Sequence, residues 1–130
     1  MSWRSLSRKT EFQRVYGNGT KIVGRYVVVY LLPAKDFGSA VVASRKIGGA
    51  VQRNRAKRLL REARRQGSLG NVTGIQGIFE RFFPSIEPLN GSREEGKSGL
   101  WVVLLARHRI LRARTPEVRE ELDNLLKNIS

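Results

Sequence analysis

Between Ser44 and Arg65 the chain reads SRKIGGAVQRNRAKRLLREARR. Arg45, Lys46, Arg53, Arg55, Lys57, Arg58, Arg61, Arg64 and Arg65 stand there against one acid, Glu62. Guanidinium and ammonium groups at this density do not themselves make or break bonds. They hold phosphates, Arg as a two-pronged donor and Lys as a point charge. At about 100° per residue from Ala50 onward, Gln52, Ala56, Leu59, Leu60 and Ala63 gather on one side of a helix. Arg53, Asn54, Lys57, Arg58, Arg61, Arg64 and Arg65 fall on the opposite side, with Arg55 and Glu62 on the remaining flank. A solvated face usually mixes signs to gain i,i+4 pairs. A face of nearly one sign repels itself unless a polyanion lies on it. The pattern therefore describes a helix that docks by an apolar stripe and offers a wall of charge to nucleic acid.

A second set of residues could stack on bases. Phe12, Val15 and Tyr16 share one face of a helical stretch, and Tyr30 lies in an extended one beside Tyr26 and Val28 on a period of two. Such faces are core or sheet surface by default, but tyrosine and phenylalanine rings also make stacking platforms.

Nothing in the chain assembles into a catalytic centre. Cysteine is absent, which excludes disulfides, thiolate nucleophiles and Cys-type zinc sites. The single histidine, His108, sits between Arg107 and Arg109 and reads as a surface residue at a strand end. The only aspartates, Asp36 and Asp123, show no pairing of the kind a two-metal nuclease needs. No catalytic residue and no protein metal site are expected.

The composition points the same way. The chain has 130 residues, 25 Lys and Arg against 11 Asp and Glu, and a formal net charge of +14, more than solubility requires. Such an excess suits a phosphate-bearing partner or an anionic membrane. The membrane is disfavoured, because the apolar run Tyr26 to Leu32 is too short to span a bilayer and the basic helix has no bulky apolar anchors. The opening MSWRSLSRKTEF has no signal-like apolar stretch, so a cytoplasmic location is expected.

These side chains need elements to position them. Residues 7 to 17 suggest a short helix, capped by Ser7 and stopped by Gly17 and Gly19. Lys21 to Leu32 reads as two strands broken at Gly24. Val27, Val29 and Leu31 form an aliphatic face suited to packing under helices, and Tyr26, Val28 and Tyr30 form the other. Pro33 to Gly38 reads as a turn and Ser39 to Arg45 as a third strand, from which Gly48 and Gly49 free the chain to enter the basic helix. Residues 67 to 99 are a glycine-punctuated insert. Ile75, Ile78, Phe79, Phe82 and Phe83 give it a short amphipathic helix stopped by Pro84, expected to fold back over the core edge. Gly91 and Gly96 punctuate its remainder. Leu100 to Arg107 is a continuous apolar strand. Thr115 and Pro116 can open a last helix whose stripe is Val118, Leu122, Leu125, Leu126 and Ile129.

The stretch KIGGAVQRNRAKRLLREA resembles the signature of the bacterial ribonuclease P protein, with Arg53-Asn54-Arg55 as its Arg-Asn-Arg core. Lys46, Gly48, Ala50, Val51, Lys57, Arg58 and Arg61 also match that pattern, and SRKTEFQRVYGNGT is similar to the family's opening helix. The resemblance covers about residues 6 to 66 and 100 to 107 well and the last helix loosely. It lapses over the insert, which is longer than the family's usual link.

The resemblance implies a subunit that supports removal of the 5′ leader from precursor tRNA. The active site and its catalytic Mg²⁺ would lie in the RNA subunit, and the polypeptide alone would be inactive. Arg45, Lys46, Arg53, Asn54, Arg55, Lys57, Arg58 and Arg61 would contact the catalytic RNA. Phe12, Tyr16 and Tyr30 would line a cleft for the leader of the precursor tRNA. No obligate protein partner and no membrane are implied, and the compartment would be the bacterial cytoplasm.

The expected architecture is one α+β domain over residues 1 to 130, in the order α-β-β-β-α-β-α. It has about four strands in a mixed sheet and helices packed on one face. The strands flanking the basic helix should be parallel neighbours, joined by a crossover that the resemblance allows to be left-handed. Two rival readings share the basic helix: a structural RNA-binding protein of ribosomal type, and a DNA-binding module using that helix in the major groove. The second is disfavoured, because the helix lacks isolated base-reading polar residues.

Overall fold

In a computed structural model, residues 3–85 and 99–127 are described. Strand β1 (Arg4–Ser5) leads into helix α1 (Lys9–Asn18), followed by β2 (Thr20–Val23), β3 (Val27–Ala34) and β4 (Gly38–Val42). A 3₁₀ turn at Arg45–Ile47 precedes α2 (Ala50–Gln66), and a second at Ser68–Gly70 precedes α3 (Val72–Phe82). Strand β5 (Gly99–Ala106), a third 3₁₀ turn at His108–Arg112 and α4 (Thr115–Lys127) complete the described chain. Gly91 and Gly96 of the insert, and Ile129 of the expected α4 stripe, lie outside these residues.

The sheet is five-stranded, in the order β1-β4-β5-β3-β2. β2, β3 and β5 pair antiparallel, whereas β4 pairs parallel with both β5 and β1. The two strands flanking α2 are thus parallel neighbours, as expected from the sequence. The strand count differs from the expected four through β1, a two-residue strand too short to carry a period-two pattern. β3 also runs through Pro33 to Ala34, where a turn was expected.

Gly24 does break the extended stretch, its N–H donating to Val27 O at 2.8 Å. The break also turns Tyr26 to the other side of the sheet from the one its period-two spacing predicts. Residues 25 and 26 form a bend outside β3, and Tyr26 packs against the large core on the helix side of the sheet. Tyr26 therefore does not share a face with Tyr30.

The large core joins Val27, Val29 and Leu31 of β3 and Leu100, Val102 and Leu104 of β5 to the buried stripes of α2, α3 and α4. The aliphatic face of β3 packs under helices, as its alternation predicts. The second core lies on the other side of the sheet. Leu6, Val15, Ala34, Trp101 and Val103 are buried there, with Phe12, Tyr30, Leu32, Ala40 and Val42 packed around them. Helices accordingly cover both faces, α1 on one and the other three on the opposite, rather than one face alone. The physical reason is β5. It is apolar on both sides, and a strand buried on both faces needs cover on both.

The insert helix α3 is part of the large core. Ile75, Ile78 and Phe79 are buried, Asn71 caps it by accepting from Gly74 N–H at 2.7 Å, and Arg81 Nε donates to Leu126 O at 2.8 Å. At Gly74 the helix comes so close to the preceding turn that a Cβ would collide with the Ser68 carbonyl. Leu69 in that turn is fully buried, and its carbonyl accepts from Trp3 Nε1 at 3.1 Å. Among the described residues no helix is long and apolar enough to cross a membrane.

Candidate nucleic-acid interface

Helix α2 forms because seventeen residues without an internal Gly or Pro follow Gly49. Its entry is set by Gly48, whose φ of 143° is the only positive φ among the described residues and one that L side chains rarely adopt. Ala56, Leu59, Leu60 and Ala63 are buried as the wheel predicts. Gln52, placed on the same stripe, is exposed instead. It lies in the first turn, ahead of the part of the helix that meets the sheet, and its side chain lies against Gly48 and Gly49.

The candidate RNA-binding residues, with Arg64, divide into two groups. Asn54, Arg58 and Arg61 are exposed and Arg53 and Lys57 half-buried, all on the side away from the core. Arg45 and Lys46 precede them, exposed on the first 3₁₀ turn. Arg55 and Arg64 are tethered. Arg55 Nη2 donates to Ala113 O at 3.2 Å, and Arg64 Nη1 donates to Ser39 Oγ of β4 at 2.6 Å. Burial, with a smaller contribution from Arg61, lowers the Arg64 pKa from its ordinary value. Glu62, the one acid, accepts the Thr115 hydroxyl at 2.8 Å. Thr115 therefore ties α4 to α2 rather than capping α4, while Glu117 accepts from Arg114 N–H at 3.0 Å.

The three aromatic candidates meet on the other face of the sheet. α1 places Phe12 and Tyr16 with centroids 6.1 Å apart, and Tyr16 meets Tyr30 of β3 edge-on at 4.9 Å. Tyr16 is 43% exposed, so its ring is open to a partner rather than core. Partial burial, and then Tyr30, push the Tyr16 phenol up from its ordinary value. Alongside, β4 presents only Ala40 and Val42, so the sheet surface beside α1 is lined by small, half-exposed side chains.

Ser7 does not cap α1, and Gly17 lies inside it. The helix closes at Gly19, whose N–H donates to Val15 O. Its start is held by Glu11, which accepts the N–H groups of Ser7 and Arg8, both at 3.0 Å, and pairs with Arg4 at 2.7 Å.

Three cations lie beside the rings where the sequence pattern marks none, Arg4 at 5.6 Å from the Trp101 centroid among them. Lys21 Nζ lies 5.9 Å from the Tyr30 centroid, and the Arg14 guanidinium lies 5.0 Å from that of Trp101. Lys21 faces Tyr30 across the β2–β3 ladder, so the signal was present in the register and not in the composition. Trp101 was hidden in an apolar run. Its Nε1 donates to Asp36 at 2.7 Å, and Asp36 also pairs with Arg4 at 2.8 Å.

The family model for Ribonuclease P matches residues 2–78, which extends into α3. The ribonuclease P protein component of Coprothermobacter proteolyticus is 52% identical over 58 residues, 45% of this chain. The chain spans about half the length of that relative, 49%, and 53% of the one from Nitratiruptor. The corresponding component of Caldanaerobacter subterraneus is 32% identical over 126 residues, covering 94% of this chain and 85% of that protein. Among solved structures, the ribonuclease P protein of Thermotoga maritima superposes with a TM-score of 0.60 at 26% identity, covering 98% of both chains. That of Staphylococcus aureus reaches 0.63 at 23% identity and covers 97% of this chain and 94% of its own, a likeness of fold. By the family model and by the full-length relative alike, the chain belongs to the bacterial ribonuclease P protein family.

Proposed function

We propose that the chain serves as the protein subunit of ribonuclease P. In this reading it binds the catalytic RNA and the 5′ leader of precursor tRNA, supporting endonucleolytic removal of the leader. Arg45, Lys46, Arg53, Asn54, Lys57, Arg58 and Arg61 meet the catalytic RNA, mainly at phosphates, with Arg55 at the flank. Phe12, Tyr16 and Tyr30 grip the leader by stacking. Each stacked base is worth roughly 1–3 kcal/mol with little dependence on sequence, which suits leaders that differ between precursors. The compartment that goes with this reading is the bacterial cytoplasm.

Bond cleavage is assigned to the RNA. Among the described residues no three His, Asp or Glu side chains converge, so they do not fit as a cradle for the Mg²⁺ ions the family implies.

The observation that carries the proposal is the cluster of Phe12, Tyr16 and Tyr30 on the sheet face opposite the cationic helix. A structural RNA-binding protein of ribosomal type would need the helix but not the cluster. Reconstitution with a ribonuclease P RNA tests it. The polypeptide alone should cleave nothing, and the holoenzyme should bind precursor tRNA more tightly than mature tRNA. Tyr16→Ala with Tyr30→Ala should shrink that preference while leaving affinity for the catalytic RNA nearly unchanged. A folded double variant with the full preference would remove these rings from the leader site.

A further inference from the structure

A second cationic cluster lies apart from the exposed face of α2, at the end of the sheet where β3 begins and β5 ends. The bend before β3 and the 3₁₀ turn after β5 enclose an open pocket of about 460 Å³ lined by Arg25, Tyr26, His108, Arg109 and Arg112. The bend is fixed from two sides. Arg107 N–H donates to Tyr26 O at 2.9 Å, and its Nη1 donates to Gly24 O at 2.7 Å. Glu121 of α4 accepts the N–H groups of Arg25 and of Tyr26, the latter at 2.8 Å. The Arg25 side chain is thereby carried on a backbone tied to Arg107 and to Glu121. Arg25, His108, Arg109 and Arg112 are exposed, and among the described residues no carboxylate pairs with the side chain of any of these arginines.

Guanidinium groups lining a concave surface from two elements, without a bonded acid among the described residues and beside a half-buried phenol, match the charge and the fork geometry of a phosphodiester. The concavity that shares Arg25 and Tyr26 with it is lined on its far side by Glu117, Glu120 and Glu121 of α4, so the cationic side of the pocket is the one formed by His108, Arg109 and Arg112. We infer that the pocket of Arg25, Arg109 and Arg112 is a phosphate-binding subsite separate from α2, taking a phosphodiester of an RNA backbone. This rests on the RNA-binding reading above. The phosphodiester could belong to the catalytic RNA or to the tRNA.

The test uses the full chain and its reconstituted holoenzyme. Three paired variants are compared with wild type: Arg109→Ala/Arg112→Ala, Arg109→Lys/Arg112→Lys, and Arg58→Ala/Arg61→Ala on α2. The readout is the slope of log affinity against log salt, for a ribonuclease P RNA transcript with the protein and for precursor and mature tRNA with the holoenzyme. Two lost phosphate contacts at roughly 0.7–0.9 each should flatten the slope by about 1.4–1.8 for the RNA that occupies the pocket. The lysine pair should keep the wild-type slope. A change with the transcript identifies the catalytic RNA as the source, and a change only with tRNA identifies the substrate. Should the alanine pair lose its fold, Arg25→Ala on the other wall reads one contact, roughly 0.7–0.9. Slopes unchanged for every RNA, while Arg58→Ala/Arg61→Ala flattens its own, would overturn the pocket and leave the RNA-binding reading standing. A wild type without salt-dependent RNA binding would remove both. Competition by polyglutamate, lost in the Arg109→Ala/Arg112→Ala protein with RNA slopes intact, would assign the pocket to a protein carboxylate and also overturn the inference.

Discussion

A single carboxylate, Glu11, holds the start of the helix that carries two of the three rings. The Arg8 N–H, then the Arg4 guanidinium, then the Ser7 N–H all favour its charged form and lower its pKa from 4.5 to about 2. The folded chain therefore binds fewer protons than the unfolded one between those values, and stability falls as pH drops through that window. Asp36, lowered chiefly by Arg4, adds in the same direction. Glu11→Gln should lower the melting temperature at pH 7 and flatten its decline between pH 4.5 and 2, as followed by circular dichroism. An acid profile equal to that of wild type would mean that Glu11 does not anchor α1. The tethering of Arg55 and Arg64 carries a similar lesson about single residues. On a helical wheel Arg64 falls with Arg58 and Arg61, and Arg55 falls on the flank, but a wheel gives an angle and not what the neighbouring element offers. Only the fold brings the Ala113 carbonyl and the Ser39 hydroxyl within their reach.

At the scale of elements, periodicity located α2, α3 and α4 because each buries a stripe repeating at the helical period. It could not show what each stripe meets. The insert helix folds back over the core as expected, with Ile78 fully buried and Phe79 2% exposed in the same core as β3 and β5. Phe79→Ala should therefore lower unfolding free energy by about 3–5 kcal/mol, measured by urea denaturation. The folded fraction should keep the wild-type salt slope for RNA, since α3 carries none of the proposed contacts. A loss below about 1 kcal/mol would mean that α3 covers the core loosely. β1 and the face chosen by α1 were illegible for a different reason. Two residues show no period, and Phe12 and Val15 would look the same on either side of a sheet.

Across the whole molecule the sheet keeps two proposed tasks apart. α2 lies on one face with its phosphate wall outward, and α1 lies on the other with Tyr16 against Tyr30. Arg58 and Arg61 share no bonded partner with Tyr16 or Tyr30, and the buried strands β3 and β5 stand between their helices. Sites separated in this way act independently, their free-energy effects adding to within about 0.3–0.5 kcal/mol. Three variants of the reconstituted holoenzyme test this: Arg58→Ala/Arg61→Ala, Tyr16→Ala/Tyr30→Ala, and all four together. The arginine pair should weaken catalytic-RNA binding and flatten its salt slope while the ratio of precursor to mature tRNA affinity stays put. The tyrosine pair should reduce that ratio by up to roughly 1–3 kcal/mol per ring and leave the slope alone. In the quadruple variant the two effects should sum. A coupling above about 1 kcal/mol would mean that the faces communicate, either because one RNA contacts both or because removing the rings shifts the sheet beneath α2. A tyrosine pair that also flattened the catalytic-RNA slope would place both faces on the same RNA.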